Sequence, residues 1–250
     1  MTACEVVVDC FPEALHHYRR GWTIVAVDVI RATTTAVTAA WRGLQVFPAE
    51  SSAHARHLAA GLDDPLLVGE LHGDPPAGFH ETNSPAAMDR LRDLSRPVVL
   101  LSTNGTRLLL GGEGREATYA ACLRNVSAQV QCLVEQHRRV ALIGAGSRGE
   151  FREEDAYGCA LLAEPLLDAG YRPGGLAREV VDRWSGLPPE AFADGHSARY
   201  LRRTGQVADL DFVLGHRDDV PAVFPLLGSE LGCLPMTASR ARGDVEVVGT

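Results

Sequence analysis

Asp28 and Arg31 stand at the end of an apolar, β-branched run, Ile24 to Ile30, that reads as a strand buried on both faces. A purely structural strand would stay apolar there. Thr33, Thr34 and Thr35 follow, and Ala36, Val37, Ala40 and Trp41 then share one apolar helix face. A carboxylate, a guanidinium and hydroxyls at a strand-to-helix junction suit the holding of an anion, because free backbone N–H groups and the helix dipole favour negative charge there. The plain structural alternative is an Asp28–Arg31 pair with a threonine capping the helix.

Four other polar clusters, Glu70, Thr103–Arg107, Arg124/Asn125 and Gly146–Asp155, also follow predicted strands. Thr103-Asn104-Gly105-Thr106 reads as a turn with Gly105 at positive φ and a threonine cap. It also reads as backbone N–H groups and two hydroxyls facing an anion, with Arg107 behind them. Gly144–Gly149 matches the dinucleotide fingerprint Gly-x-Gly-x-x-Gly, the basis of an alternative nucleotide-dependent oxidoreductase. The match falls late in the chain, and Glu150, Glu153, Glu154 and Asp155 after it would repel a pyrophosphate. Those acids suit the first turn of a helix or the ligation of a hard divalent ion such as Mg²⁺.

The elements that must position these residues alternate strand and helix about five times between residues 20 and 170. This α/β pattern implies a largely parallel sheet with helices on both faces. In an open sheet of that kind the carboxyl ends of the strands share one edge, and ligands bind in the crevice outside it. The weak strand Leu44–Phe47 is expected to stop at Pro48. Leu71–Pro85 is a long loop of the size used for lids and binding loops. From Pro173 the pattern weakens: Glu190–Arg203 reads as helix, Asp209–Leu214 is ambiguous, and the last dozen residues form a tail or an edge strand. With neither an internal repeat nor a low-complexity linker, residues 1–250 are expected to form one domain.

A net charge of −8 argues against a general nucleic-acid or membrane-surface binder. All 24 basic residues are arginine. The absence of lysine excludes lysine Schiff-base chemistry and a P-loop lysine, and leaves planar arginine as the main cation for phosphate or carboxylate. The six cysteines include no Cys-x-x-Cys, and Cys122, Cys132 and Cys159 lie in apolar segments as small buried hydrophobes. Met1–Pro12 has no basic n-region, so no signal peptide is expected there. No apolar run approaches the ~20 residues needed to cross a bilayer, and a reduced, cytoplasmic protein is expected.

Five pieces of the chain, in order and spacing, resemble the 2-phosphosulfolactate phosphatases of coenzyme M biosynthesis (ComB-type proteins). They are Asp28–Thr35, Gly69-Glu70, Asn83-Ser84-Pro85, Ser102–Arg107 and Ala145–Asp155, with a fainter match through His196–Asp211. The resemblance implies a three-layer α/β/α fold, Mg²⁺-dependent hydrolysis of a phosphate monoester on a small anionic substrate, and a homodimer. By position it implies Asp28, Arg31, Asn104 and Thr106 as catalytic residues. It implies Thr33, Thr34, Glu70, Asn83, Ser84, Thr103, Gly105 and Arg107 as substrate-binding, and Asp28, Glu154 and Asp155 around the metal. The chain departs from the family pattern at Leu71, where an arginine is usual, and at His80, where an aspartate is usual. Loss of a cation and an acid in the long loop points either to a changed substrate or to a non-catalytic binder of a phosphorylated or sulfonated acid.

Overall fold

The computed structural model describes residues 3–112, 114–147 and 149–236. The first half of the chain gives β1 (Glu5–Cys10), β2 (Thr23–Val27), α1 (Ala32–Trp41), β3 (Val46–Ala49), α2 (Ser52–Ala60), β4 (Leu66–Gly69), α3 (Pro85–Arg90), β5 (Val98–Leu101), α4 (Gly105–Leu110) and β6 (Ala117–Ala121). The second half gives α5 (Val126–Gln136), β7 (Arg139–Gly144), α6 (Glu153–Asp168), β8 (Arg172–Gly175), α7 (Ala177–Trp184), α8 (His196–Arg203), α9 (Val207–Gly215), β9 (Ala222–Leu227), β10 (Glu230–Leu231) and β11 (Leu234–Pro235). Helices cover both faces of one mixed sheet, a three-layer α/β/α arrangement.

The sheet contains two parallel groups, β6–β2–β7–β1–β8 and β4–β5–β3, joined through β9 and β10. Three successive antiparallel pairings, β6/β9, β9/β10 and β10/β3, leave the two groups running in opposite senses. In a flat sheet their carboxyl ends would lie on opposite edges. Here α1 and α4 pack on strands of both groups, and Ala36, Val37, Leu108 and Leu109 share one buried cluster with Ile24 of β2, Val46 of β3 and Leu100 of β5. The sheet therefore folds over these two helices, and the carboxyl ends of β2, β7, β4 and β5 converge. The expected shared rim exists, but it arises from a folded mixed sheet and not from one open parallel edge.

Several element ends differ from the sequence expectation for local reasons. β2 stops at Val27, and α1 already begins at Ala32, so the threonines lie inside the helix. β3 runs through Pro48, which the sheet tolerates because its antiparallel partner β10 meets β3 only at Val46. Residues 173–175, Pro-Gly-Gly, form part of β8, which among the described residues is an edge strand paired only with β1. The opposite face of the longer group is closed by α5, α6 and α7, with Tyr157, Leu162 and Trp184 buried against Val25 and Val27. Cys122, Cys132 and Cys159 are buried, and all six cysteines are free thiols. Among the described residues no helix is long and apolar enough to cross a membrane. The sequence expectation of a tail or edge strand over the last dozen residues lies outside the described residues.

Candidate active site

A cavity of about 390 Å³ opens where the strand ends converge. Its wall takes Asp28 and Arg31 from the turn after β2, Glu70 and Asn83 from the ends of the long loop, Thr103 and Asn104 from the turn after β5, and Asp155 from the first turn of α6. Seven residues singled out in the sequence are thus brought together, drawn from five separate segments.

The β2–α1 turn is built by its own polar groups. Asp28 Oδ1 accepts the Ala32 N–H at 3.1 Å, the bond a helix cap would make, while Arg31 occupies the N-cap position without a side-chain cap bond. The Thr33 hydroxyl bonds to the Asp28 backbone and the Thr34 hydroxyl donates to Val29 O at 2.8 Å. Both hydroxyls are therefore engaged in holding the turn, and neither lines the cavity. The Ile30–Arg31 peptide is cis.

Asp155 reaches the same turn from α6. Its Oδ1 accepts Val29 N–H at 2.9 Å and its Oδ2 accepts Gly146 N–H at 3.0 Å. This approach needs a glycine one helical turn later: a Cβ on Gly158 would lie 3.0 Å from the side chains of both Val27 and Val29. Burial pushes the Asp28 carboxyl up to about 7, helped by the charges of Glu70 and Glu154 and opposed by the Ala32 N–H and Arg31. Burial, with the charges of Asp28 and Glu154, raises Asp155 well above the usual carboxylate range. Glu154 lies behind the wall and is also raised, first by burial, and its Oε2 is buried without a hydrogen-bond partner among the described residues.

The second strand group contributes differently. Glu70 Oε1 accepts Thr103 N–H at 2.8 Å, and its Oε2 accepts the Thr103 hydroxyl at 3.0 Å and Gly73 N–H at 2.7 Å. Glu70 thus pins the start of the long loop to the end of β5. Asn104 donates through Nδ2 to the Ala145 and Gly146 carbonyls, both at 3.1 Å, tying the β5 and β7 ends together. Gly105 is required by proximity and not by a positive φ: a Cβ there would meet Asp28 Oδ2 at 2.3 Å. Asn83 presents a buried Oδ1 that lacks a partner among the described residues.

Other expected members lie elsewhere. The Thr106 hydroxyl bonds back to Ser102 at the start of α4, and Ser84 caps α3 and donates to Asp209. Arg107 is exposed and outside the cavity wall. Arg124 and Asn125 do not join the site at all, because Arg124 pairs with Asp219 and Asn125 bonds to Cys122 N and Ala120 O. Leu71 packs in the apolar cluster of β5 and α2, and His80 Nδ1 accepts Leu67 N–H at 3.0 Å. Neither departure from the family pattern reaches the cavity. The Gly144–Gly149 run does not open α6, since Phe151 and Arg152 intervene before the acidic first turn.

The structure adds residues that sequence reasoning missed. Arg152 lines the cavity, as do His196, Ser197, Tyr200 and Leu201 on one face of α8. Tyr200 donates to Gly73 O at 3.0 Å and so closes α8 onto the long loop. The sequence signals were the place of Arg152 inside the matched piece Ala145–Asp155, the fainter match that begins at His196, and the i, i+4 repeats of His196/Tyr200 and Ser197/Leu201.

Among the described residues no three His, Cys, Asp or Glu side chains form a ready metal cage. A hard ion that keeps its waters needs only one or two carboxylates together with substrate oxygens. The crowding of Asp28, Glu154 and Asp155, each with a raised carboxyl, and the unpartnered Glu154 Oε2 fit a cation of that kind.

A model of the 2-phosphosulpholactate phosphatase family matches residues 9–226. Several relatives carry the description probable 2-phosphosulfolactate phosphatase. That of Deinococcus radiodurans is 30% identical over 233 residues, covering 86% of this chain and 95% of its own. That of Symbiobacterium thermophilum is 33% identical over 201 residues, 77% of this chain and 86% of its own. A Synechococcus protein (strain RCC307) is 35% identical over 195 residues, 72% of this chain and 79% of its own.

Proposed function

The chain belongs to the 2-phosphosulpholactate phosphatase family, and from that premise we propose that it hydrolyses the phosphate monoester of a small 2-phospho-acid, 2-phosphosulfolactate by analogy with its relatives' names. The ester P–O bond breaks, a water oxygen joins phosphorus, and the released alkoxide takes a proton to leave as a hydroxy acid. The observation that carries this reading is the burial of Asp28 and Asp155 in one cavity with the guanidinium groups of Arg31 and Arg152.

The carboxylates and cations have separable tasks. Arg31 and Arg152 offer fixed N–H donors for phosphoryl or acid oxygens, and in a water-poor cavity such donors stabilise developing charge without reorganising. Asp28, with its carboxyl near neutrality, is suited to exchanging a proton with the attacking water or the departing oxygen. Asp28 and Asp155, with Glu154 behind them, are the residues that would hold Mg²⁺. When bound, such an ion neutralises charge on the phosphoryl oxygens. A homodimer in a reducing cytoplasm, serving coenzyme M biosynthesis, belongs to the same proposal.

Phosphate release from a panel of phosphorylated hydroxy acids, with and without Mg²⁺, tests the reading. Activity is expected only with the divalent ion, and Asp28→Asn and Arg31→Ala are each expected to abolish it. Full activity in either purified variant would remove that residue from the chemistry. Ligand-induced stabilisation without turnover would instead favour a binding protein.

A further inference from the structure

Building on the phosphatase reading, we propose that Arg152 determines specificity by binding a second acidic group of the substrate, and that Glu150 is its partner until the substrate arrives. The Arg152 side chain is 7% exposed and lines the cavity beside Asp155 and Ser147. Its Nε–H is buried and has no hydrogen-bond partner among the described residues. Its Nη1 donates to Glu150 Oε2 at 3.1 Å, and that glutamate side chain is 70% exposed.

Arg31 shows the contrast. Its guanidinium meets Gln206 and the buried carboxylate of Asp209, so its charge is matched inside the protein. Arg152 has as its salt-bridge partner among the described residues a carboxylate that stands mostly in solvent, where water screens the attraction. Glu154 feels the Arg152 charge, yet its Oε2 and the Arg152 Nε–H both lack partners, so no bond joins them there. A buried guanidinium with a spare donor and a weak partner matches a carboxylate or sulfonate, which its planar fork can grip with two bonds.

Glu150 is well placed to yield. Ser147 and Glu150 exchange backbone hydrogen bonds of 2.9 and 3.0 Å in a tight turn at the cavity rim. The turn fixes the backbone while the exposed carboxylate stays free to swing into water.

The test compares 2-phospholactate with isopropyl phosphate, which has a methyl group in place of the carboxylate. The wild type is expected to prefer 2-phospholactate in kcat/KM by about 10- to 100-fold, the range of one charge-assisted contact. In Arg152→Gln the ratio is expected to fall towards one, mainly through KM for 2-phospholactate. Glu150→Gln is expected to lower that KM a few-fold. Arg152→Lys, which keeps the charge and loses the fork, replaces the glutamine variant if the latter does not fold, and should retain only part of the ratio. A ratio unchanged in the Arg152 variants overturns the assignment even if both rates fall. If the wild type turns over neither ester nor 2-phosphosulfolactate, the phosphatase reading itself fails, and Arg152 is then judged by binding. A 2-phospholactate thermal shift that is absent in the wild type, or persists in Arg152→Gln, overturns the assignment.

Discussion

Arg31 Nη1 lies 2.5 Å from Asp209 Oδ2, an ion pair joining residues 178 positions apart with both side chains 5% exposed or less. The other oxygen of Asp209 accepts the Ser84 hydroxyl at 2.5 Å and Ala86 N–H at 3.3 Å. One carboxylate from α9 therefore fixes both the cationic turn after β2 and the start of α3. Removing one partner of a buried pair leaves the other charge uncompensated, at a cost of about 3–5 kcal/mol. Asp209→Ala is expected to lose about that much stability in urea denaturation and to raise KM. Adding Arg31→Ala should cost much less than the sum of the two single changes, because the orphaned charge is removed with it. Full additivity in the double-mutant cycle would show that the pair is not coupled.

Gly105→Ala tests how closely α4 abuts the site. The added methyl would sit 2.3 Å from Asp28 Oδ2 and 2.7 Å from Ala32 Cβ, so either the carboxylate or the start of α1 must move. Overpacking of this kind costs about 1–3 kcal/mol, and a shift near 1 Å in a reacting group costs on the order of 10²-fold in rate. The expected outcome is a folded variant with strongly reduced phosphate release. Wild-type kcat in Gly105→Ala would mean that the position of Asp28 does not limit the reaction.

Residues that broke an apolar pattern were legible in the sequence. Asp28 interrupts a β-branched run and Asp155 stands in an acidic turn ahead of a long apolar helix, positions that marked both as candidates beside a cap or dipole role, and both line the cavity. Arg124 broke a pattern in the same way, yet it serves Asp219, a partner 95 residues away that no local reading supplies. Arg152, His196 and Tyr200 fall in matched pieces, yet their types suit a helix end and a surface helix; only the docking of α8 shows which of its faces covers the cavity. Strands β8 and β9 were hidden by their prolines. An edge position accommodates the one, whereas Pro225 of β9 lies within the sheet, directly opposite Tyr119 of β6. The opposed sense of the two strand groups likewise depends on β10, two residues long and too short to carry a periodicity.

Glu70 acts through the loop it holds. Its carboxylate accepts two backbone N–H groups and the Thr103 hydroxyl, and that hydroxyl also accepts His72 N–H at 2.8 Å. Glutamine can keep at most part of this set, since its NH₂ would face a donor. Glu70→Gln is expected to raise KM several-fold and to speed amide exchange at residues 72–74. The Glu70 charge also helps to raise the Asp28 carboxyl, so the acid limb of the kcat/KM profile should move to lower pH. A purely structural role would change exchange and stability and leave that limb in place.

Asp28 gives the apo protein a characteristic dependence on pH. Its carboxyl rises from the ordinary 3.8 to about 7 on folding, chiefly through burial. Between those values the folded chain holds a proton that the unfolded chain has released, so unfolding becomes easier as pH rises. The stability is fully present below about pH 4 and is progressively lost up to about pH 7. Asp155 and Glu154 are displaced in the same direction and add to the trend. At about 1.4 kcal/mol per pH unit of displacement, the Asp28 contribution amounts to a few kcal/mol. The metal-free wild type should therefore be less stable at pH 8 than at pH 5 in this respect. Asp28→Asn, neutral throughout, should show a smaller drop and a higher Tm than wild type at pH 8. Mg²⁺ at pH 8 should raise the wild-type Tm and raise that of the variant less, because the ion gains most from the charge that folding disfavours. Denaturation curves at pH 5 and pH 8, with and without Mg²⁺, decide the matter, and an equal pH dependence in the two proteins would show that Asp28 is ionised at no cost in the fold.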